Sequence, residues 1–159
     1  MSEGVEWGLH CCVTPAWLEG DSPVSIARPA ASFDLPAPYL NKRLQVPVRA
    51  GVLSSTPGAR GGFQPARPPE RITLMDVVAV IEGTDDVFRY TEIRRQGVGA
   101  TASGREFGRR CGISTAMRRA EPAWRREPAA QSLADVLAGT PASAAERTRR
   151  WFAAERTHT

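Results

Sequence analysis

Glu6 and His10 are the first residues whose types and spacing could do chemistry. Four apart on a helix, they project from one face, where a carboxylate and an imidazole could reach the same metal ion. The chain has three cysteines, an odd number that makes no disulfide framework and points to thiol or metal roles. Cys11 and Cys12 are neighbours, so on that same helix they lie about 100° apart and cannot both face Glu6 and His10. The pair is expected to serve as small core residues, with thiol sensing the alternative. Cys111 stands far along the chain. None of these groups comes with a catalytic motif, so the chain reads as a non-enzyme.

A second set of residues has the chemistry of nucleic-acid recognition. Pro38, Tyr39, Asn41, Lys42, Arg43, Gln45 and Arg49 fall on one predicted helix, and Arg60 lies among glycines in a later turn. Asn and Gln can pair bidentately with adenine and Arg with guanine, each good pair discriminating by about 1–3 kcal/mol. The positive end of such a helix favours nearby phosphate. Arg49 suits a phosphate contact, and Arg60 suits a minor groove or a clamp on the backbone. Taken singly, Lys42 or Arg49 would be a solvated helix face. Taken together with the ribbon described next, the set favours double-stranded DNA.

The elements that must position these groups follow from periodicity and breakers. Val5, Leu9, Cys12 and Val13 recur at helical spacing and predict a first helix over 3–19, broken by Gly20-Asp21-Ser22-Pro23. Ser25 is expected to cap a short second helix over 26–33, and Asp34-Leu35-Pro36 to turn into a third. The third covers about 37–50, with Tyr39, Leu40, Leu44 and Val48 on one side and Gly51 as its stop. Residues 52–56 read as a strand, 57–62 as a turn carrying Arg60, and Phe63 begins the returning strand. Thr73 and Asp76 form a capping-box pattern that opens a helix over 74–82, closed by Gly83. Residues 84–110 read as an irregular loop. A long helix over 112–130 carries Ile113, Met117, Ala120 and Trp124 in a stripe, and Ser132 with Asp135 caps another short helix. The tail, 139–159, is expected to fray or to form an amphipathic turn around Trp151 and Phe152. This order predicts a mainly α chain with a small β-wing: a winged helix-turn-helix over 1–83, a loop over 84–111, and a dimerisation helix with a short following helix over 112–138.

Composition agrees. The 159 residues suit one domain, or one with an added dimerisation element, and a hydrophobic fraction of 42% can build its core. A net charge of +4 is compatible with an acidic partner without demanding one. No stretch approaches the roughly 20 apolar residues of a membrane span. The acidic first residues lack the basic region of a signal peptide, so the expected location is the cytoplasm.

Several of these segments, in order, resemble the Rrf2 family of regulators, of the IscR and NsrR type. They are Tyr39-Leu40-Asn41-Lys42, Arg49-Ala50-Gly51-Val52-Leu53, Gly61-Gly62-Phe63, Ile72 to Val78, Ile81-Glu82-Gly83, Thr91-Glu92-Ile93-Arg94 and Cys111-Gly112-Ile113. The resemblance covers about residues 4–138. It implies a homodimer built on the long helix, binding a pseudo-palindromic operator, usually as a repressor. It also implies a 2Fe-2S cluster in the loop before that helix, where many members place three cysteines. Here there is one, Cys111, and Tyr90 stands where the first of the three would be. A three-thiolate site is therefore absent. In a family dimer the first helix can approach the partner's loop, so Glu6, His10 and Cys111 could converge as a mixed set, with Tyr90 a poor fourth ligand. The expectation is that no cluster is stably bound. The alternative function is a metal- or cluster-carrying redox protein with a vestigial DNA-binding domain; a plain dimeric interaction module is a third.

Prolines run against this plan. Pro15, Pro29, Pro47 and Pro128 fall inside predicted helices and Pro65 in the returning strand. An interior proline removes a hydrogen bond and costs about 3 kcal/mol. Pro47 is expected to kink the rear of the third helix while sparing its base-facing half, and its replacement by Leu to raise the melting temperature.

Overall fold

The computed structural model describes residues 3–18, 23–83 and 88–155. Seven α-helices and a two-stranded antiparallel sheet are found among them: α1 Glu3–Trp17, α2 Ala27–Ser32, α3 Ala37–Arg49, β1 Leu53–Thr56, β2 Gly62–Pro65, α4 Leu74–Glu82, α5 Gly112–Ala129, α6 Leu133–Gly139 and α7 Ala142–Glu155. The chain is mainly α with a β-wing, as expected. It divides into two compact units, one of Met1–Thr84 with Pro128–Thr159, the other of Asp85–Glu127.

The first unit is built on α1, whose Cys11, Cys12 and Val13 pack with Leu40 and Leu44 of α3, Phe63 of β2 and Val77 of α4. Both cysteines are core residues; burial pushes each thiol up to about 12, so both are inert. Gly8 lets α4 approach α1, since a Cβ there would lie 2.1 Å from Cδ1 of Ile81. The glycine costs about 1 kcal/mol of helix propensity relative to Ala, a cost this packing has to offset. Both capping boxes form. Thr73 and Asp76 open α4, Ser132 and Asp135 open α6, and a backbone bridge between Thr73 and Ser132 holds the two starts side by side.

Four expectations are corrected. α1 ends at Trp17 rather than at 19; the break at 20–22 lies outside the described residues. Ser25 does not cap α2: the N-cap is Ile26, and Ser25 serves through its backbone carbonyl, which accepts from Arg28 N–H at 3.2 Å. Tyr39 does not join the inward face of α3, because it is 38% exposed; Pro47 takes that place beside Leu40 and Leu44. The tail forms a full helix, α7, whose Phe152 is buried with Leu18 and Val24 in a second cluster. Amphipathic spacing alone could not show that a surface existed to receive it.

Pro29 and Pro65 are absorbed by their local positions. Pro29 is the third residue of α2, where a backbone N–H has no partner within the helix. Phe63 exchanges both backbone hydrogen bonds with Val24, on the side of β2 away from β1. Alternation turns the nitrogen of Pro65 the same way, so the β1–β2 ladder loses nothing. The helices α1 and α3 run through Pro15 and Pro47, and α5 runs through both Pro122 and Pro128.

Pro47 is fully buried, and its carbonyl accepts the N–H of Val52 at 3.0 Å, tying the end of α3 to the start of the wing. A Leu there would overfill a packed site, costing about 1–3 kcal/mol and cancelling the regained backbone bond. Pro47→Ala is the cleaner test. It recovers about 3 kcal/mol of helix propensity and gives up about 0.8 kcal/mol for each of two buried methylenes. The expected result is a rise in melting temperature; a fall would mean that the ring's packing outweighs the helix term.

The second unit holds two short 3-10 turns, Ile93–Arg95 and Gly97–Thr101, and most of α5. On α5, Ile113 and Met117 are exposed and Trp124 is half-buried. Among the described residues, no helix is long and apolar enough to cross a membrane.

Candidate nucleic-acid interface

α3 begins with two helix-compatible features: Pro36 in extended conformation as N-cap, and Pro38 in the first turn, where its missing N–H is harmless. Its inward side is Leu40, Leu44 and Pro47, all buried. The 3.6-residue repeat then turns Pro38, Asn41, Lys42, Arg43 and Arg49 outward, and all five are exposed. No carboxylate lies on this helix.

The outer face has two flanks. On one, the Arg43 guanidinium lies 5.2 Å from the centre of the Tyr39 ring, a cation–π contact between two exposed side chains. Val46, one turn on, is 44% exposed. On the other flank, Gln45 Nε2 donates to Asn41 Oδ1 at 3.4 Å, so the two amides are aligned with each other. Val46 was not singled out from the sequence. Its signal is its spacing, seven from Tyr39 and three from Arg43, and an exposed aliphatic there is suited to a thymine methyl.

The wing stands beside α3. β1 and β2 pair in the register Leu53↔Pro65 to Thr56↔Gly62, and the tip closes through Gly61 N–H donating to the Gly58 carbonyl at 2.9 Å. A Cβ at Gly62 would meet the Val24 carbonyl oxygen at 2.2 Å, so only glycine lets β2 pair with Val24. Arg60 is exposed at the tip.

Tyr90, Glu92, Arg94 and Cys111 form a separate cluster in the second unit. The Tyr90 hydroxyl donates to Glu92 Oε1 at 2.6 Å, while Arg94 donates through Nε to Glu92 Oε1 at 2.6 Å and through Nη2 to Oε2 at 2.8 Å. Hydrogen bonds from Arg94 and then Tyr90 hold the Glu92 carboxyl down at about 2. Desolvation and the bond to Glu92 push the Tyr90 phenol up to about 12. Cys111 sits just before α5. The Ser114 N–H first, then the Tyr90 hydroxyl, hold its thiol below the ordinary range.

These residues do not fit a thiolate-bound cluster. One thiol is present, the phenol at the position of a second is held protonated, and its oxygen is engaged by Glu92 and Arg94. Glu6 and His10 are exposed on α1 in the first unit, while Cys111 belongs to the second. Among the described residues of one chain, no three His, Cys, Asp or Glu side chains gather as a metal site.

The lowered thiol has a direct consequence. Cys111 is itself buried at 8% exposure, so its alkylation should be slow, but because the thiolate is favoured it should rise with pH through an inflection below the usual thiol range, and Tyr90→Phe should move that inflection upward. Cys11 and Cys12 should stay unmodified at neutral pH. Mass spectrometry of iodoacetamide-treated native protein reads all three; earlier labelling of Cys11 would contradict the assignment.

An exposed basic helix, presented by a helical core and flanked by a β-ribbon with a basic tip, defines a winged helix-turn-helix protein. Residues 1–139 match the Rrf2 family, described as "Iron-dependent Transcriptional regulator", and the chain belongs to that family. It is 33% identical over 99 residues to YwgB of Bacillus subtilis (strain 168), a match covering 62% of this chain and 59% of that protein. It is 31% identical over 95 residues to the HTH-type transcriptional regulator IscR of Cereibacter sphaeroides, covering 60% and 56%. The matched segment thus spans under two thirds of each of these relatives. The structure of CymR from B. subtilis superposes with a TM-score of 0.68 at 22% identity, over 89% of this chain and 98% of that one. That of T. potens IscR gives 0.59 at 23%, over 86% and 85%. These likenesses establish the fold.

Proposed function

We propose that this chain is a sequence-specific transcription regulator that binds double-stranded DNA as a homodimer on a pseudo-palindromic operator, as a repressor. The observation that carries the reading is the division of α3: Leu40, Leu44 and Pro47 buried, Asn41, Lys42, Arg43 and Arg49 exposed, with Arg60 at the wing tip. In this reading Asn41, Arg43 and Gln45 read base edges, with Pro38 and Tyr39 packed at the groove. Lys42 and Arg49 lie on phosphates, and Arg60 enters the neighbouring minor groove. The stripe Ile113, Met117 and Trp124 on α5 is the proposed dimer seam.

Selection from a random duplex pool tests this directly. The expected product is one symmetric consensus, bound far more tightly than random duplex at physiological salt. Equal binding of every duplex would overturn sequence-specific regulation, and a consensus without symmetry would overturn the dimer. Lys42→Ala or Arg49→Ala should weaken specific and random binding alike. Each should also flatten the slope of log K against log salt by about 0.9 for the phosphate contact removed.

The second reading is a metal- or cluster-carrying redox protein with a vestigial DNA-binding domain, in which Glu6 and His10 offer a carboxylate and an imidazole. It has in its favour that Glu6 and His10 are both exposed and four apart on α1. Anaerobically purified protein that is iron-free and still selects the operator would remove it.

A further inference from the structure

The first unit contains a cavity of about 700 Å³ between α1, the end of α2, α6 and α7. That volume lies within the roughly 300–1,000 Å³ of small-molecule sites. Trp17, Phe33, Trp151 and Phe152 supply aromatic walls, and among the described residues no Asp or Glu lines it. We propose that this cavity is a binding site for an aromatic carboxylic acid.

The polar groups decide the class of ligand. Thr14 donates its hydroxyl to the His10 carbonyl at 2.8 Å, Thr140 to that of Val136 at 2.7 Å, and Ser32 to that of Pro29 at 3.0 Å. These hydroxyl protons are already spent on backbone. The Thr148 hydroxyl and the Trp17 and Trp151 indoles are neutral lining groups, and the basic side chains at the cavity are the imidazole of His10 and the guanidinium of Arg147, both exposed at its surface. Arg147 makes no ion pair among the described residues, whereas Arg150 on the same helix pairs with Glu146 at 3.7 Å. A planar fork of donors at an apolar mouth matches a carboxylate bidentately, with the ligand's rings against the tryptophans. A neutral aromatic would leave that fork unanswered.

The site also touches the DNA-reading machinery. Phe33, in the turn that leads into α3, lines the cavity, and its ring meets Trp7 at 5.9 Å and His10 at 5.6 Å. A ligand seated there bears on the turn that sets the angle of α3. This regulatory consequence rests on the proposed function; the binding does not.

The probe is para-biphenylcarboxylate, titrated into the full chain by calorimetry and by quenching of tryptophan fluorescence, without DNA. One-to-one saturable binding is expected. para-Biphenylmethanol, its neutral counterpart, should bind about tenfold more weakly, and Arg147→Gln should weaken the acid about tenfold, the size of one charge-assisted contact. Ala144→Trp fills the cavity and should abolish binding; thermal melts of both variants establish that they are folded, and Arg147→Gln alters only an exposed side chain. Absence of saturation at millimolar acid would overturn the site. Equal affinity for the alcohol, or for Arg147→Gln, would overturn the carboxylate assignment. A separate titration of selected operator with and without the acid reads the coupling: an unchanged DNA affinity removes the regulatory role while leaving the site standing.

Discussion

Replacing Arg43 by Ala should weaken binding to the selected operator by roughly 5- to 150-fold, the equivalent of 1–3 kcal/mol for a bidentate base contact, and relax selectivity at one base pair. Affinity for random duplex should change far less. The reason lies in how the side chain is held. Arg43 is exposed and its guanidinium lies over the Tyr39 ring, on a helix whose buried side is Leu40, Leu44 and Pro47. Stability should therefore stay within about 0.5 kcal/mol of the parent, as for surface substitutions generally. Tyr39→Phe keeps the ring and should keep most of the affinity, whereas Tyr39→Ala frees the guanidinium and should lose part of it. A gel-shift series against the operator and its single-base variants gives the result. Equal losses on every duplex would reassign Arg43 to phosphate, and no loss at all would place the reading surface elsewhere.

Phe152→Ala has the opposite signature. Its ring is buried to 1% exposure beside Leu18 and Val24, with the Arg28 guanidinium 4.7 Å from its centre and donating to the Phe152 carbonyl. Removing a buried aromatic costs about 3–5 kcal/mol. In a chain of this size that lowers the melting temperature by roughly 2–4 °C for each kcal/mol. Calorimetry or circular dichroism measures it, and a melting temperature unchanged within about a degree would mean that α7 does not belong to the core. Because Phe152 also walls the cavity, this variant should bind the biphenyl acid poorly, which Arg43→Ala should not.

The elements that position α3 were legible because their signals are local. Thr73 with Asp76 and Ser132 with Asp135 carry capping boxes within one turn, and each one forms. Leu40 and Leu44 share a face by helical spacing, so the outward placement of Asn41, Lys42 and Arg43 followed without knowledge of the partner surface. The same logic misplaced Tyr39, which lies at the margin of the apolar stripe. Whether a marginal side chain turns inward depends on what lies opposite, and here the buried side of α3 is Leu40, Leu44 and Pro47.

The loop after α4 was legible in a different sense. One cysteine where a three-cysteine arrangement was expected could be counted from residues alone. That Tyr90 would be locked by Glu92 and Arg94 could not, because it depends on Glu92 adopting a left-handed backbone at φ 52°.

By itself, then, the order of residues determined the helix-turn-helix, its ribbon and its basic outward face, since each arises from periodicity, capping or turn chemistry over a few neighbours. Tertiary structure alone decided the burial of Pro47, the docking of α7 and the cavity beneath it. Those depend on contacts between segments such as Arg28 and Phe152, which are far apart in the chain, and such contacts exist only once the layers have packed.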